Sequence, residues 1–128
     1  MDKSEEREFA ELKGKTLFEI IGNVGDGEMV FRSENGNQYE LYHDQDCFES
    51  VLIEDIVGCI EDLLGTPILL AEEVIHDSVN PDEVQIPEWQ DSFTWTFYKL
   101  STIKGSVTIR WYGSSNGFYS ESVKFVQI

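Results

Sequence analysis

From Ser33 to Tyr98 the chain contains no lysine and no arginine, a stretch of 66 residues that holds 16 aspartates and glutamates. A surface built from such a stretch repels phosphates and anionic lipids within a Debye length of about 8 Å. That excludes DNA or RNA binding through a basic face. Long apolar runs are missing too: none approaches the roughly 18 residues a spanning helix needs. The opening Met1-Asp2-Lys3-Ser4-Glu5-Glu6-Arg7-Glu8 is polar where a signal peptide is apolar. These absences predict a cytoplasmic protein with no membrane partner. Cysteine is scarce, with only Cys47 and Cys59. Their spacing fits no Cys/His zinc pattern, and a reducing compartment leaves them as free thiols. There is no internal repeat and no low-complexity linker, so one domain is expected.

What is present suffices for a core. The chain has 128 residues, of which 41% are hydrophobic and 12% aromatic, too apolar for disorder despite a formal charge of -16. A chain of this length buries roughly two-thirds of its unfolded surface. The charge is unevenly placed. In the last 30 residues Lys99, Lys104, Arg110 and Lys124 face only Glu121, a local surplus of +3. The sequence therefore predicts an electrically two-sided molecule, one side anionic and the closing strands cationic.

Local patterns predict an α+β fold, mostly antiparallel β-sheet in hairpins or a meander, with one or two short helices. Residues 1–13 read as an N-terminal helix or arm, because Ser4 precedes acids and Phe9 and Leu12 stand three apart before Gly14. Residues 14–128 form the single sheet domain. Two β-rich runs, Thr16–Ile21 and Glu28–Arg32, flank the Gly22–Gly27 turn cluster. Asn35-Gly36 predicts a type I′ turn that returns Met29–Ser33 on Gln38–Tyr42. Val51-Leu52-Ile53 resumes apolar character, residues 58–65 read as a short helix ending at Gly65, and the apolar segment after Pro67 continues through Val74-Ile75 as a strand. Residues 77–91 read as the longest loop. Next, Phe93, Trp95 and Phe97 alternate with Thr94, Thr96 and Tyr98, and the aromatic set is expected inward with Val107, Ile109 and Trp111. Asn116-Gly117 predicts a second type I′ turn into a last strand, Phe118–Val126.

Three constellations carry candidate chemistry. His43, Asp44, Asp46, Cys47 and Glu49 place an imidazole, a thiol and three carboxylates within seven residues where a strand breaks. They fit a metal-assisted site, a Cys/His pair, or a tight loop whose polar side chains bond their own backbone. The second set, Arg110, Tyr112, Ser114, Ser115, Asn116 and Tyr119, reads as an adaptable contact surface at a hairpin tip. With Lys99, Lys104 and Lys124 on neighbouring strands it suits an anionic small ligand, in one chain or at the interface of a homo-oligomer. Third, the acidic block itself presents carboxylates to a basic groove on another protein. Glu54-Asp55 and Glu61-Asp62 also read as paired acid/base carboxylates, although so short a chain suggests no cleft for a glycosidase.

Gly14-Lys15-Thr16-Leu17, Leu41-Tyr42-His43-Asp44-Gln45-Asp46-Cys47, Ser92 to Tyr98 and Arg110-Trp111-Tyr112-Gly113-Ser114-Ser115-Asn116-Gly117 resemble a family of small, functionally uncharacterised proteins of phages, prophages and bacteria. The resemblance covers nearly the whole chain from Gly14 onward. In the family pattern two adjacent cysteines follow the Gln-Asp, and here Phe48 replaces the second. The pattern has Asp where Cys59 stands and Tyr where Phe118 stands, so this member does without either. No catalytic residue, cofactor or metal comes with the resemblance. What it implies is a setting, since small phage proteins often inhibit host defence. The expectation is therefore a non-enzymatic inhibitor in the cytoplasm of the host bacterium, docking its acidic surface on a basic, nucleic-acid-handling host protein. The alternatives are a protein that sequesters a small nucleotide signal, a metal-dependent hydrolase, and an immunity protein against a basic toxin.

Overall fold

A computed structural model describes residues 5–77 and 92–128. Among the described residues, nine strands form two antiparallel sheets. The first sheet contains β1 (Glu5–Glu6), β2 (Leu17–Ile21), β3 (Glu28–Ser33), β4 (Gln38–Tyr42) and β9 (Lys124–Gln127), in the spatial order β1-β9-β4-β3-β2. The second contains β5 (Ser50–Val57), β6 (Leu70–His76), β7 (Ser92–Thr102) and β8 (Gly105–Ser115), in the order β5-β8-β7-β6. One core unites them: Met29, Phe31, Tyr39, Leu41 and Phe125 of the first sheet join Val51, Ile53, Tyr98, Leu100, Val107, Ile109 and Trp111 of the second. Among the described residues no helix is long and apolar enough to cross a membrane.

The antiparallel sheets agree with the expected class, but the helices do not. Among the described residues there is no α-helix, only two 3-10 turns at Phe9–Leu12 and Ile60–Leu63. The spacing that suggested a helix serves a 3-10 turn equally well, because that turn stacks residues three apart on one side. Phe9 and Leu12 are thereby both buried, Phe9 against the rings of Phe31, Tyr98 and Phe125. Segments this short do not repay helix nucleation unaided. Glu5 and Glu6 pair with Gln127 and Val126, so residues 5–12 are woven into both sheet and core.

The first hairpin joins the predicted strands, but its turn is one residue longer than predicted, which shifts the register by one residue: Met29 lies opposite Leu41 and Arg32 opposite Gln38. Gly36 N–H donates to Ser33 O and Ser33 N–H donates to Asn37 O, leaving Glu34, Asn35 and Gly36 as the loop. Gly36 takes φ +95°, the left-handed conformation of a three-residue hairpin with a bulge.

Two further corrections concern the C-terminal half. Cross-strand partners share a face, and β7 pairs Thr96 with Trp111, Tyr98 with Ile109 and Leu100 with Val107. The core face of β7 is thus the Thr94–Thr96–Tyr98 side, and Phe93, Trp95 and Phe97 lie on the opposite face. Alternation reveals that a strand has two faces, while the residues of its neighbours decide which one meets the other sheet. The fully buried Tyr98 donates its hydroxyl to Glu73 at 2.7 Å. Burial, then Glu73, pushes that phenol far above the usual range. Tyr98→Phe keeps the packing and deletes the bond, and should lower stability by about 1 kcal/mol; a urea midpoint equal to that of the parent would contradict this.

The last strand is the other correction. Asn116-Gly117 does not close a hairpin, because β9 leaves β8 and inserts between β1 and β4 in the first sheet. Here no run of alternating apolar residues follows the turn at once: Phe118 and Ser120 are exposed, and regular pairing resumes only at Lys124.

Candidate functional site

The chain changes sheets twice at one end of the molecule. Residues 43–49 connect β4 to β5, and residues 116–123 connect β8 back to β9. Tyr42 pairs with Lys124 and Ser50 pairs with Ser114, so the two connections begin and end beside each other. This juxtaposition joins two stretches that sequence reading treated as rival sites.

Glu49 is the hub of the first loop. Its Oε2 accepts His43 Nε2–H and Asp46 N–H, each at 2.7 Å, and its Oε1 accepts Cys47 N–H at 2.8 Å. Gln45 Nε2 reaches back to Glu49 O at 2.6 Å. The other ring nitrogen of His43, Nδ1, meets Ser122 O at 2.7 Å, which ties the second loop to the first. The His43 and Glu49 side chains are 3% and 0% exposed. Burial raises the Glu49 carboxyl, but the bonds from His43, Cys47 and Asp46 together outweigh it and hold the group at about 2. Both ring nitrogens of His43 face oxygens, one on each loop.

A second buried carboxylate braces the other loop. Glu121 accepts Thr94 Oγ1–H at 2.8 Å and Ser115 Oγ–H at 2.5 Å. It lies against Gly113, where an added Cβ would come within 2.9 Å of Glu121 Cβ and O. Glycine at 113 is thus what lets the returning loop lie on β8. Gly117 N–H donates to Ser115 Oγ and Phe118 N–H to Asn116 Oδ1, the side-chain turns expected of Ser and Asn.

Between the loops is a shallow recess of about 290 Å³ lined by His43, Asp44, Gln45, Asp46, Ser120, Ser122 and Lys124. Lys124 Nζ stands 3.5 Å from Asp44 Oδ2. The exposed thiol of Cys47 adjoins the Tyr119 hydroxyl. That contact is the main reason the phenol is raised, with burial and the charges of Asp46 and Glu49 adding to it.

The predicted site residues thus divide. His43, Asp44, Asp46, Glu49 and Tyr119 meet at the crossover end. Ser115 and Asn116 shape the second loop there. Arg110 and Tyr112 are elsewhere, on the outer face of the second sheet beside Trp95: Arg110 stands 5.4 Å over the Trp95 ring and Tyr112 lies 4.5 Å from it. Ser114, opposite Phe93, shares that outer face. The predicted hairpin-tip surface from 110 to 119 is therefore not one surface. The cationic closing strands are corrected as well. Arg110 is paired with Glu54 at 2.7 Å and Asp55 at 3.6 Å, and Lys124 with Asp44, so two of the four cations of the closing strands are matched by carboxylates. Glu54 and Asp55 serve as partners of Arg110, in place of the acid/base pair considered from sequence.

Ser122 and Glu121 were not predicted. The one sequence signal for them was Gly113 within an otherwise regular strand, which marks a close backbone approach. As chemistry, the loop is a brace: His43 already uses both nitrogens, and its partner is Glu49, not Cys47. Among the described residues no group of three or more His, Cys, Asp and Glu side chains is arranged to hold a metal ion.

A family model described as "Domain of unknown function (DUF7448)" matches residues 10–125. The chain belongs to the DUF7448 family. No curated protein and no solved structure matches this DUF7448 chain. The match spans both crossover loops of the DUF7448 fold and the core that supports them.

Proposed function

We propose that this protein is a non-catalytic binding protein that docks an anionic surface on a basic, nucleic-acid-handling protein of a host bacterium, as an inhibitor of host defence. One observation supports this reading above the others: four of the nine lysines and arginines are matched by carboxylates of the same chain. Arg110 is held by Glu54 and Asp55, Lys124 by Asp44, Arg32 by Glu19 and Arg7 by Glu11. With 25 acids against 9 Lys and Arg, the unpaired charge is negative. Such a field steers a basic partner in and keeps nucleic acid out. The same pairing weakens the rival reading, a sponge for a nucleotide signal, because Arg110 already neutralises two carboxylates.

The test is capture of bacterial proteins on the immobilised chain, followed by titration of each purified captive at increasing salt. A captive that handles nucleic acid should bind at least about tenfold more weakly at 300 mM than at 50 mM NaCl. Duplex DNA should compete with the chain for it. Binding indifferent to salt and to DNA would sink the proposal. A thermal-shift panel of cyclic and ADP-ribose-type nucleotides should leave the melting temperature unchanged, and a clear rise with one of them would favour the sponge.

A further inference from the structure

Among the described residues Phe48 and Phe118 are the most exposed large hydrophobic side chains, at 86% and 87%. A phenylalanine left in water forgoes roughly 1.5–3 kcal/mol of burial. Both stand at the crossover end. Phe48 follows Cys47 and Phe118 precedes Tyr119, and the Cys47 thiol adjoins the Tyr119 hydroxyl, so the two rings emerge from neighbouring points of the two loops. The loops beneath them are held from inside by Glu49, His43 and Glu121. A surface ordered before it meets a partner loses less entropy on binding.

The surroundings specify the partner. Asp44 and Asp46 are exposed beside Cys47, and the cation lining the recess, Lys124, is paired with Asp44. Interfaces typically have an apolar, aromatic-rich centre inside a polar rim. Here the rim is anionic. A second copy of the chain would bring the same negative rim and a like charge of -16, so charge complementarity selects a different, cationic surface.

Taking the docking reading above as its basis, we infer that Phe48 and Phe118 are the anchors of the interface. They enter an apolar pocket on the partner, and the exposed Asp46 meets a lysine or arginine at its mouth.

The two cysteines provide an internal control. Both are exposed. Cys59 follows Gly58, which abuts Ser106 and Val107 at the start of β8, whereas Cys47 adjoins Tyr119, beyond the far end of β8 at Ser115. They are on the order of 25 Å apart at the rise of a strand. Each thiol in turn, in Cys59→Ser or Cys47→Ser protein, carries a short photo-crosslinker into bacterial extract, and the adduct is identified by mass spectrometry. The identified protein is then purified and titrated with Phe48→Ser, Phe118→Ser and the double variant. The expected result is an adduct from Cys47 and not from Cys59, formed with a protein whose crosslinked peptides border an apolar pocket rich in Lys and Arg. The double variant should weaken binding by about 30-fold or more. Its melting temperature should stay within about 2 °C of the parent, since both rings are in solvent.

An adduct from Cys59 alone, with binding that is salt-sensitive but unaffected by the Phe substitutions, overturns the anchor and leaves the docking reading standing. Binding that the Phe substitutions abolish but salt leaves untouched keeps the anchor and overturns the electrostatic reading. A crosslinked dimer of the chain itself overturns the choice of partner, and no adduct from either thiol overturns both ideas.

Discussion

Gly58→Ala is expected to lower the melting temperature by about 10 °C, the largest effect of any single methyl added to this fold. Gly58 follows the end of β5 with φ +111°, where an L side chain costs about 1–2 kcal/mol. The new Cβ would also overlap the carbonyl oxygen of Ser106 and come within 3.1 Å of Val107 Cα. Those atoms cannot retreat freely, because Ser106 pairs with Ser101 and Val107 with Leu100. Displacing packed backbone adds roughly another 1–3 kcal/mol. Gly36→Ala is the control. It shares a positive φ of +95°, but its Cβ meets no atom within 4 Å, so only the backbone term of about 1 kcal/mol applies. Thermal denaturation of the two variants decides the matter, and equal losses would refute the steric argument.

Glu49→Gln should rank next, with a fall of roughly 10 °C at pH 7 and a pH dependence that identifies its cause. The amide nitrogen of glutamine brings hydrogens toward His43 Nε2 or the N–H groups of Asp46 and Cys47, which need an acceptor. The sign follows from linkage. The carboxyl is held at about 2 in the folded chain against 4.5 ordinarily, so the folded state binds fewer protons than the unfolded one between those values. Stability supplied by Glu49 is therefore complete above about pH 4.5 and disappears as the pH falls toward 2. The gap in melting temperature between parent and variant should stay constant from pH 7 to 5, then narrow steadily below 4.5. A gap that persists unchanged at pH 2.5 would mean that the loop is not held by the ionised carboxylate. Limited proteolysis at neutral pH should cut the variant within residues 43–49 faster than the parent.

The sequence made some of this legible and hid the rest for definable reasons. The hairpin from Glu28 to Tyr42 could be read because each strand alternates and Asn35-Gly36 lies between two such strands. The same dipeptide at Asn116-Gly117 misled, since no alternating strand follows it directly. In β7 the alternation was plain, but Trp95 and Phe97 look as suited to a core as Thr96 and Tyr98 do to a surface, and only the pairing with Trp111 and Ile109 reveals the reverse. Candidate residues 43–49 were found because a polar cluster interrupts a strand. Their contact with Ser122 depends on two connections, with His43 and Ser122 79 residues apart in numbering, meeting where the chain changes sheets. No local pattern encodes that. The same holds for charge: Arg110 and Glu54 are 56 residues apart, and their pairing matches one of the cations that looked unopposed along the chain.

The position of β9 also bears on how the protein is made. The last strand is not at a margin but between β1 and β4, so the first sheet stays divided until residues 124–127 are in place. During synthesis those residues emerge after the other eight strands described. Closure of the first sheet therefore awaits residues 124–127, and a chain truncated before Lys124 should be open to protease while the full one resists.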